Sequence, residues 1–221
     1  MSRCCSREYE AFFTERVARR DARRYERRGL DRASRRVVAQ VARHGVDGRS
    51  VLEVGGGVGA VPLELLRAGG TRATVVELSP AYDEQARRLA ERAGLAGRVT
   101  RRTGDFATAP DLPAADVVVL NRVVCCDPDG PRLAGAAAAH ARSLLVMTYP
   151  RAGWWTRLAV GGVNLVERMR RHAFRVYVHP PAAIVAAATA EGLEPDHLHR
   201  GLFWELRSFV RRDEGSAPAP A

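Results

Sequence analysis

The run VLEVGGGVGAVPLELL, residues 51–66, sets an acid, Glu53, two positions before three consecutive glycines. A fourth glycine follows at Gly59, and a helical pattern starts directly after it. An apolar run that enters glycines and leaves as a helix is a strand–turn–helix whose backbone can approach a nucleotide-like ligand closely. The spacing fits a dinucleotide fingerprint if Ala60 is its last small residue. It fits E-x-G-x-G-x-G equally well, with Glu53, Gly55, Gly57 and Gly59. Further acids recur at the ends of later apolar runs. Glu77 ends the second run, where a carboxylate can accept hydrogen bonds from ribose hydroxyls. Asp105, in the GDF that follows the third run, can take the exocyclic amine of an adenine, with Phe106 beside the ring. Asn121 closes the fourth run, at the carboxyl end where an open α/β sheet binds its ligands.

Other reactive side chains lie farther along the chain. His179, in YVHPP, sits where a strand gives way to a helix on the acceptor side. It is either a general base for a hydroxyl or phenol acceptor or a packing and capping histidine. The four cysteines come as two adjacent pairs, Cys4–Cys5 and Cys125–Cys126, and neither pair has the C-x-x-C spacing of a zinc ribbon. They read either as reduced, half-buried thiols or, if the pairs meet, as a thiol cluster for a soft metal or metalloid. Tyr9, Phe12, Tyr25, Trp154 and Trp155 can wall an apolar pocket or belong to a core, and Cys125 and Cys126 can line the same pocket.

Composition excludes several chemistries. All 35 basic residues are arginine, so there is no P-loop lysine, no Schiff-base lysine and no Tyr-x-x-x-Lys pair. The first 50 residues hold 14 arginines against 7 acids. This is either an anion- or RNA-facing surface or a solvated helix face with pairs such as Glu15–Arg19 and Asp21–Arg24. No aromatic-interleaved RNA motif accompanies the charge, which favours the solvated face. No 18-residue apolar stretch is present and the amino terminus lacks a signal-peptide pattern, so the expectation is a cytoplasmic protein without a membrane span.

The elements that must hold these residues alternate. Tyr9, Phe12, Phe13, Val17 and Tyr25 mark an amphipathic helix over 7–28. Asp31 caps a second helix that carries Val37, Val38 and Val41. Strands follow at 51–55, 73–77, 98–103, 116–121 and 143–149, with helices at 60–68, 80–93 and 130–141 between them. A helical insertion spans 153–172 and another helix 180–191. Residues 194–210 read as two strands joined at Gly201. The pattern predicts an α/β, doubly wound, Rossmann-like sheet, mostly parallel with a terminal antiparallel hairpin, plus an N-terminal helical cap. The expected division is a cap or lid over 1–45, a sheet domain over 46–210 and a disordered tail over 211–221.

The glycine loop, Glu77, the GDF and the closing hairpin together resemble the class I S-adenosylmethionine-dependent methyltransferases over residues 45–210. The resemblance implies S-adenosylmethionine as cofactor, with Glu53, Gly55, Gly57 and Gly59 at its methionine part, Glu77 at the ribose and Asp105 at the adenine. The run FFTERVARRDARRYERRGLD, the two N-terminal helices and the insertion after the fifth strand are similar to magnesium-protoporphyrin O-methyltransferases and relatives acting on small molecules. An aromatic or apolar small molecule, methylated at oxygen, is the acceptor this implies. The fourth strand continues as LNRVVCCDPD and lacks the [DN]-P-P-[YFW] run of enzymes that methylate nucleic-acid bases. The competing expectation is a cofactor-binding fold retained as an RNA- or protein-interaction module, with the basic cap as its contact surface.

Overall fold

The computed structural model describes residues 12–109 and 111–212. Tyr9, Cys4 and Cys5 lie outside them, so the meeting of the two cysteine pairs is a matter outside the described residues. Two helices, α1 (Glu15–Arg28) and α2 (Arg32–Arg43), precede the sheet. The sheet then unfolds in alternation: β1 (Ser50–Val54), α3 (Ala60–Arg67), β2 (Arg72–Glu77), α4 (Asp83–Arg92), β3 (Val99–Thr103), β4 (Ala115–Asn121), α5 (Gly130–Ala139) and β5 (Ala141–Pro150). The chain ends with α6 (Trp154–Met169), α7 (Pro181–Ala190), β6 (Glu194–Arg200) and β7 (Trp204–Val210).

The seven strands lie in the order β3-β2-β1-β4-β5-β7-β6. The first five are parallel, and β7 runs antiparallel between β5 and β6. The order reverses between β1 and β4, and a doubly wound sheet opens a crevice at such a point. Strand alternation divides the core between the two faces. On β4, Val117 and Val119 face one layer and Val118 and Leu120 the other, all fully buried. Such two-sided burial is why DVVVLN is a continuous apolar run rather than an alternating one.

The N-terminal helices belong to the first of these layers. Ala18, Ala22, Val37 and Val41 share a buried cluster with Val61, Leu65, Val117 and Val146. Asp31 caps α2 by accepting from the Ala33 and Ser34 amides at 2.9 and 3.0 Å, as its position before an amphipathic run requires. On α1 the expected Glu15–Arg19 pair forms at 2.9 Å, whereas Asp21 pairs with Arg20 rather than Arg24. Among the described residues no helix is long and apolar enough to cross a membrane.

Candidate functional site

The β1–α3 turn is shaped by three glycines at positive φ: Gly55 at 65°, Gly57 at 51° and Gly59 at 76°. The crowding differs along the loop. A Cβ on Gly55 would stand 2.4 Å from Val123 Cγ2, and one on Gly56 would stand 2.6 Å from both Glu53 Oε2 and Val75 Cγ1. Glu53 therefore runs directly beneath the loop, and the middle glycine exists to let it. Gly59 is the left-handed N-cap of α3 and lies outside the cavity wall, whereas Gly55 and Gly57 form part of it.

Glu77 is held in place by the backbone. Its Oε2 accepts from the Gly57 amide at 2.8 Å and its Oε1 from the Ser79 amide at 3.0 Å. An ionised carboxylate has about four lone-pair sites, so both oxygens keep acceptor capacity toward the cavity they line. The loop and the acid are thus one unit, with the charge of Glu77 fixed by the turn it serves.

Glu53 is only 2% exposed, and its Oε2 has no hydrogen-bond partner. Burial pushes its carboxyl up to about 8, and the negative charge of Glu77 pushes in the same direction against Arg101 and Arg122. A buried acid with an orphaned oxygen, lining the cavity, leaves that oxygen without the donor that burial calls for. Arg101, from β3, does not line the cavity, but its charge acts on Glu53 from behind the loop. Its Nε donates to Asp83 Oδ1 at 3.1 Å while both Nη atoms are buried without partners. No local pattern marks an arginine as buried; only the parallel register beside β2 places it there.

Opposite the loop, Asp105 caps the short turn after β3 by accepting from the Ala107 amide at 2.9 Å. Phe106 is buried and packs near the His140 ring, 5.3 Å between centroids. Both line the cavity. Asn121 lines it as well, but its amide is already engaged: Nδ2 donates to Ser34 Oγ at 2.9 Å and Oδ1 accepts from Thr148 Oγ1 at 2.8 Å. It ties α2 to the carboxyl end of the sheet. The next residue, Arg122, takes a left-handed φ of 63° and pairs with Asp31 at 2.8 Å. Burial pushes the Asp31 carboxyl up, but the Ser34 hydrogen bonds and the Arg122 charge outweigh it and hold the group below the usual range. Arg122 and Asp31 escaped the sequence reading as site residues. For Arg122 the signal was available, since it directly follows a strand's carboxyl end.

These groups surround one cavity of about 410 Å³, a volume in the range of small-molecule and cofactor sites. Its wall holds the glycine loop with Glu53, Glu77, Asp105 and Phe106, and also Phe13, Tyr25, Leu30, Arg122 and Cys126. The Tyr25 hydroxyl donates to Glu64 Oε1 at 2.6 Å and accepts from Arg67 at 2.8 Å. Burial, with Glu64 adding, pushes that hydroxyl up to about 12.

Several expected pocket residues are elsewhere. His179 is not in the cavity wall; its Nε2 contacts the Asp127 carbonyl at 2.9 Å, and its ring sits where a Cβ on Gly130 would collide at 2.5 Å. The segment before it forms no strand, and the ring bridges the turn after β4 and the start of α5. Phe12 stacks on Phe174 at 4.3 Å and backs Phe13 at 4.9 Å without reaching the wall. Trp154 is 79% exposed, and Trp155 packs edge-on against Phe203 at 5.8 Å. The insertion helix therefore does not supply the pocket's aromatic wall. Cys125 is buried behind Cys126, with 4.0 Å between the sulfurs. Among the described residues no three His, Cys, Asp or Glu side chains form a metal-binding group.

Residues 51–144, from β1 into β5, match the family model described as "Methyltransferase domain". This segment is similar to that family. Within it fall the loop, Glu77, Asp105, Phe106 and Asn121. The fold is shared with magnesium protoporphyrin IX methyltransferase from Synechocystis PCC 6803 with bound SAH, at a TM-score of 0.64 and 20% identity over 81% of this chain and 82% of that one. It is shared also with an O-methyltransferase family protein from Burkholderia thailandensis, at 0.67 and 22% identity over 84% and 58%. In sequence, the chain is 47% identical over 77 residues to aclacinomycin 10-hydroxylase RdmB of Streptomyces purpurascens. That stretch covers 34% of this chain, which spans about a fifth of the relative's length, 20%.

Proposed function

We propose that this chain transfers a methyl group from S-adenosylmethionine to a small molecule, with an aromatic or apolar acceptor and oxygen as the accepting atom. The observation that carries the reading is the buried, unpartnered Glu53 beneath the glycine loop, facing the same cavity as the backbone-held Glu77. One acid has an oxygen without a donor, and the other keeps acceptor capacity for a diol. A ligand with an ammonium group at one end and a ribose beyond it matches both. The absence of a side chain at position 55 lets Val123 pack directly against the turn that would hold such a ligand. When bound, S-adenosylmethionine supplies a methyl group activated on a sulfonium.

The chain's own residues then position and enclose. Glu53 would hold the ammonium group, Glu77 the ribose hydroxyls and Asp105 the adenine amine, with Phe106 along the ring. Phe13, Tyr25 and Leu30 would present an apolar face to the acceptor and exclude water, which is most of what a displacement at sulfonium needs. His179 is withdrawn as the base by its position outside the wall. A carboxylate acceptor needs none.

A second reading is favoured by one finding: the sequence relative at 47% identity bears the name of a hydroxylase. The same cradle would then serve a different reaction on the acceptor side. Calorimetric titration with S-adenosylhomocysteine, followed by labelled methyl transfer to a metabolite extract, separates the readings. Micromolar binding with labelled product supports methyl transfer. Binding with no labelled product from any acceptor supports the second reading, and absence of binding overturns both.

A further inference from the structure

Helix α6 carries most of the large apolar side chains that the fold leaves in solvent. Trp154 is 79% exposed, Leu158 71%, Leu165 59% and Met169 76%. At 3.6 residues per turn these four fall within a sector of about 60°, along a helix about 24 Å long. The side chains that α6 buries, Thr156, Val160 and Glu167, centre on the opposite side of the same wheel. The apolar ridge therefore points straight away from the protein body. It is not a face that failed to pack by small rotation.

The helix is fixed in that attitude. The Asn164 side chain makes two hydrogen bonds to the Val176 backbone, at 2.8 and 2.9 Å. Glu167 meets His172 Nδ1 at 2.7 Å and Arg170 at 3.6 Å. Trp155 leans on Phe203, whose chain neighbour Leu202, at 85% exposed, extends the apolar surface beyond the helix end.

Charge selects the occupant. Exposed Arg157 and Arg168 flank the ridge on one side, and exposed Arg170 and Arg171 follow at its carboxyl end. The one acid on the helix, Glu167, is buried and already paired. A second copy seated on this ridge in a two-fold contact would bring the same arginines face to face with no acid between them. We infer that α6 is an interfacial element, which lays Trp154, Leu158, Leu165 and Met169 into an anionic lipid surface with its arginines at the phosphates. Sixteen residues with this polarity lie on a bilayer and do not cross it. This role is independent of the reaction carried out in the cavity.

The test is co-sedimentation of the full chain with vesicles of phosphatidylcholine alone or mixed with phosphatidylglycerol, with unchanged thermal unfolding as the fold control for each variant. Binding should be at least about tenfold stronger to the anionic vesicles and fall with added salt. Leu158→Glu with Met169→Glu should abolish binding to both. Arg157→Ala with Arg168→Ala should bring the anionic vesicles close to the neutral ones. Wild-type protein that stays in solution with both vesicles overturns the inference. So does a dimer, seen by sedimentation, that the glutamate pair dissociates, or vesicle binding that the glutamate pair leaves intact.

Discussion

Glu53 should make cofactor binding expel a proton. Its carboxyl is buried, its Oε2 unpartnered, and its displacement from the ordinary 4.5 to about 8 corresponds to a penalty of about 5 kcal/mol on the ionised form. Near neutrality the free protein therefore carries Glu53 protonated. An ammonium group brought against it would favour the carboxylate and move its titration below neutrality. Affinity for S-adenosylhomocysteine should then rise about tenfold per pH unit across the interval and level off above about pH 8. Calorimetry at about pH 6.5, in two buffers of different ionisation enthalpy, should count about one proton released per ligand bound. The Glu53→Gln variant should release none. The free protein offers an independent check of sign. Between 4.5, where the unfolded carboxyl titrates, and about 8, the native state holds a proton that the unfolded state has lost. Stability from this group is therefore present below the window and falls as pH rises through it, and Glu53→Gln should remove that fall. A proton count near zero in the wild type, or an equal count in the glutamine variant, refutes the role given to this acid.

Three further outcomes are expected. Glu77→Ala should weaken S-adenosylhomocysteine binding by about 1.5–3 kcal/mol and also lower the melting temperature of the free protein, because the Gly57 and Ser79 amides lose their acceptor; equal affinity in calorimetry would remove Glu77 from the site. Gly55→Ala should cost about 1–2 kcal/mol for the left-handed backbone alone, plus the collision with Val123 Cγ2. In chemical denaturation a Val123→Ala background should recover the collision and leave the backbone cost. Cys126, in the cavity wall, should be alkylated before buried Cys125 and be protected by S-adenosylhomocysteine, as mass spectrometry of time points would show; equal rates at the two thiols would contradict the placement. A favourable contact with Cys126 already lowers the Cys125 thiol from its ordinary value against the opposing effect of burial, so exposure and not acidity sets that order.

The sheet was legible because parallel strands buried on both faces write themselves as continuous apolar runs. The bounds of DVVVLN and SLLVMTY each lie within two residues of those of β4 and β5 as they fold. The misplacements occur where one residue changes the local geometry. The helix read from residue 80 begins as a separate turn over Pro80–Tyr82 before α4 starts at Asp83. The reading of residues 1–45 as a lid followed the helices' amphipathic pattern, which reports that a face is buried but not against what. On α2 that face meets β4, β5 and β7, and on α1 it meets α4 and the Pro80–Tyr82 turn, with Val37 and Ala18 fully buried. The Ser79 hydroxyl also donates to the Phe13 carbonyl at 2.8 Å.

The site divides along the same line. Glu53, Gly55, Gly57, Glu77, Asp105 and Phe106 sit at strand ends, so topology brings them together, and counting residues along the chain was enough to find them. The rest of the wall has no such rule. Phe13, Tyr25 and Leu30 reach the cavity from just before α1, from α1 and from the turn between α1 and α2, segments placed by packing between distant parts of the sequence. The aromatic residues that looked equivalent on the insertion do not. Trp154 and Phe12 have the residue type and helical spacing of Tyr25, yet one points to solvent and the other packs on Phe174. Helical spacing gives a shared face and leaves its direction to the body that the helix meets. On α2 the apolar face meets the sheet, on α1 it meets α4 and the Pro80–Tyr82 turn, and part of it reaches the cavity; on α6 a second apolar face stays exposed among the described residues. That contrast is why the same sequence signal yields a pocket wall at one end of the protein and an unoccupied ridge at the other.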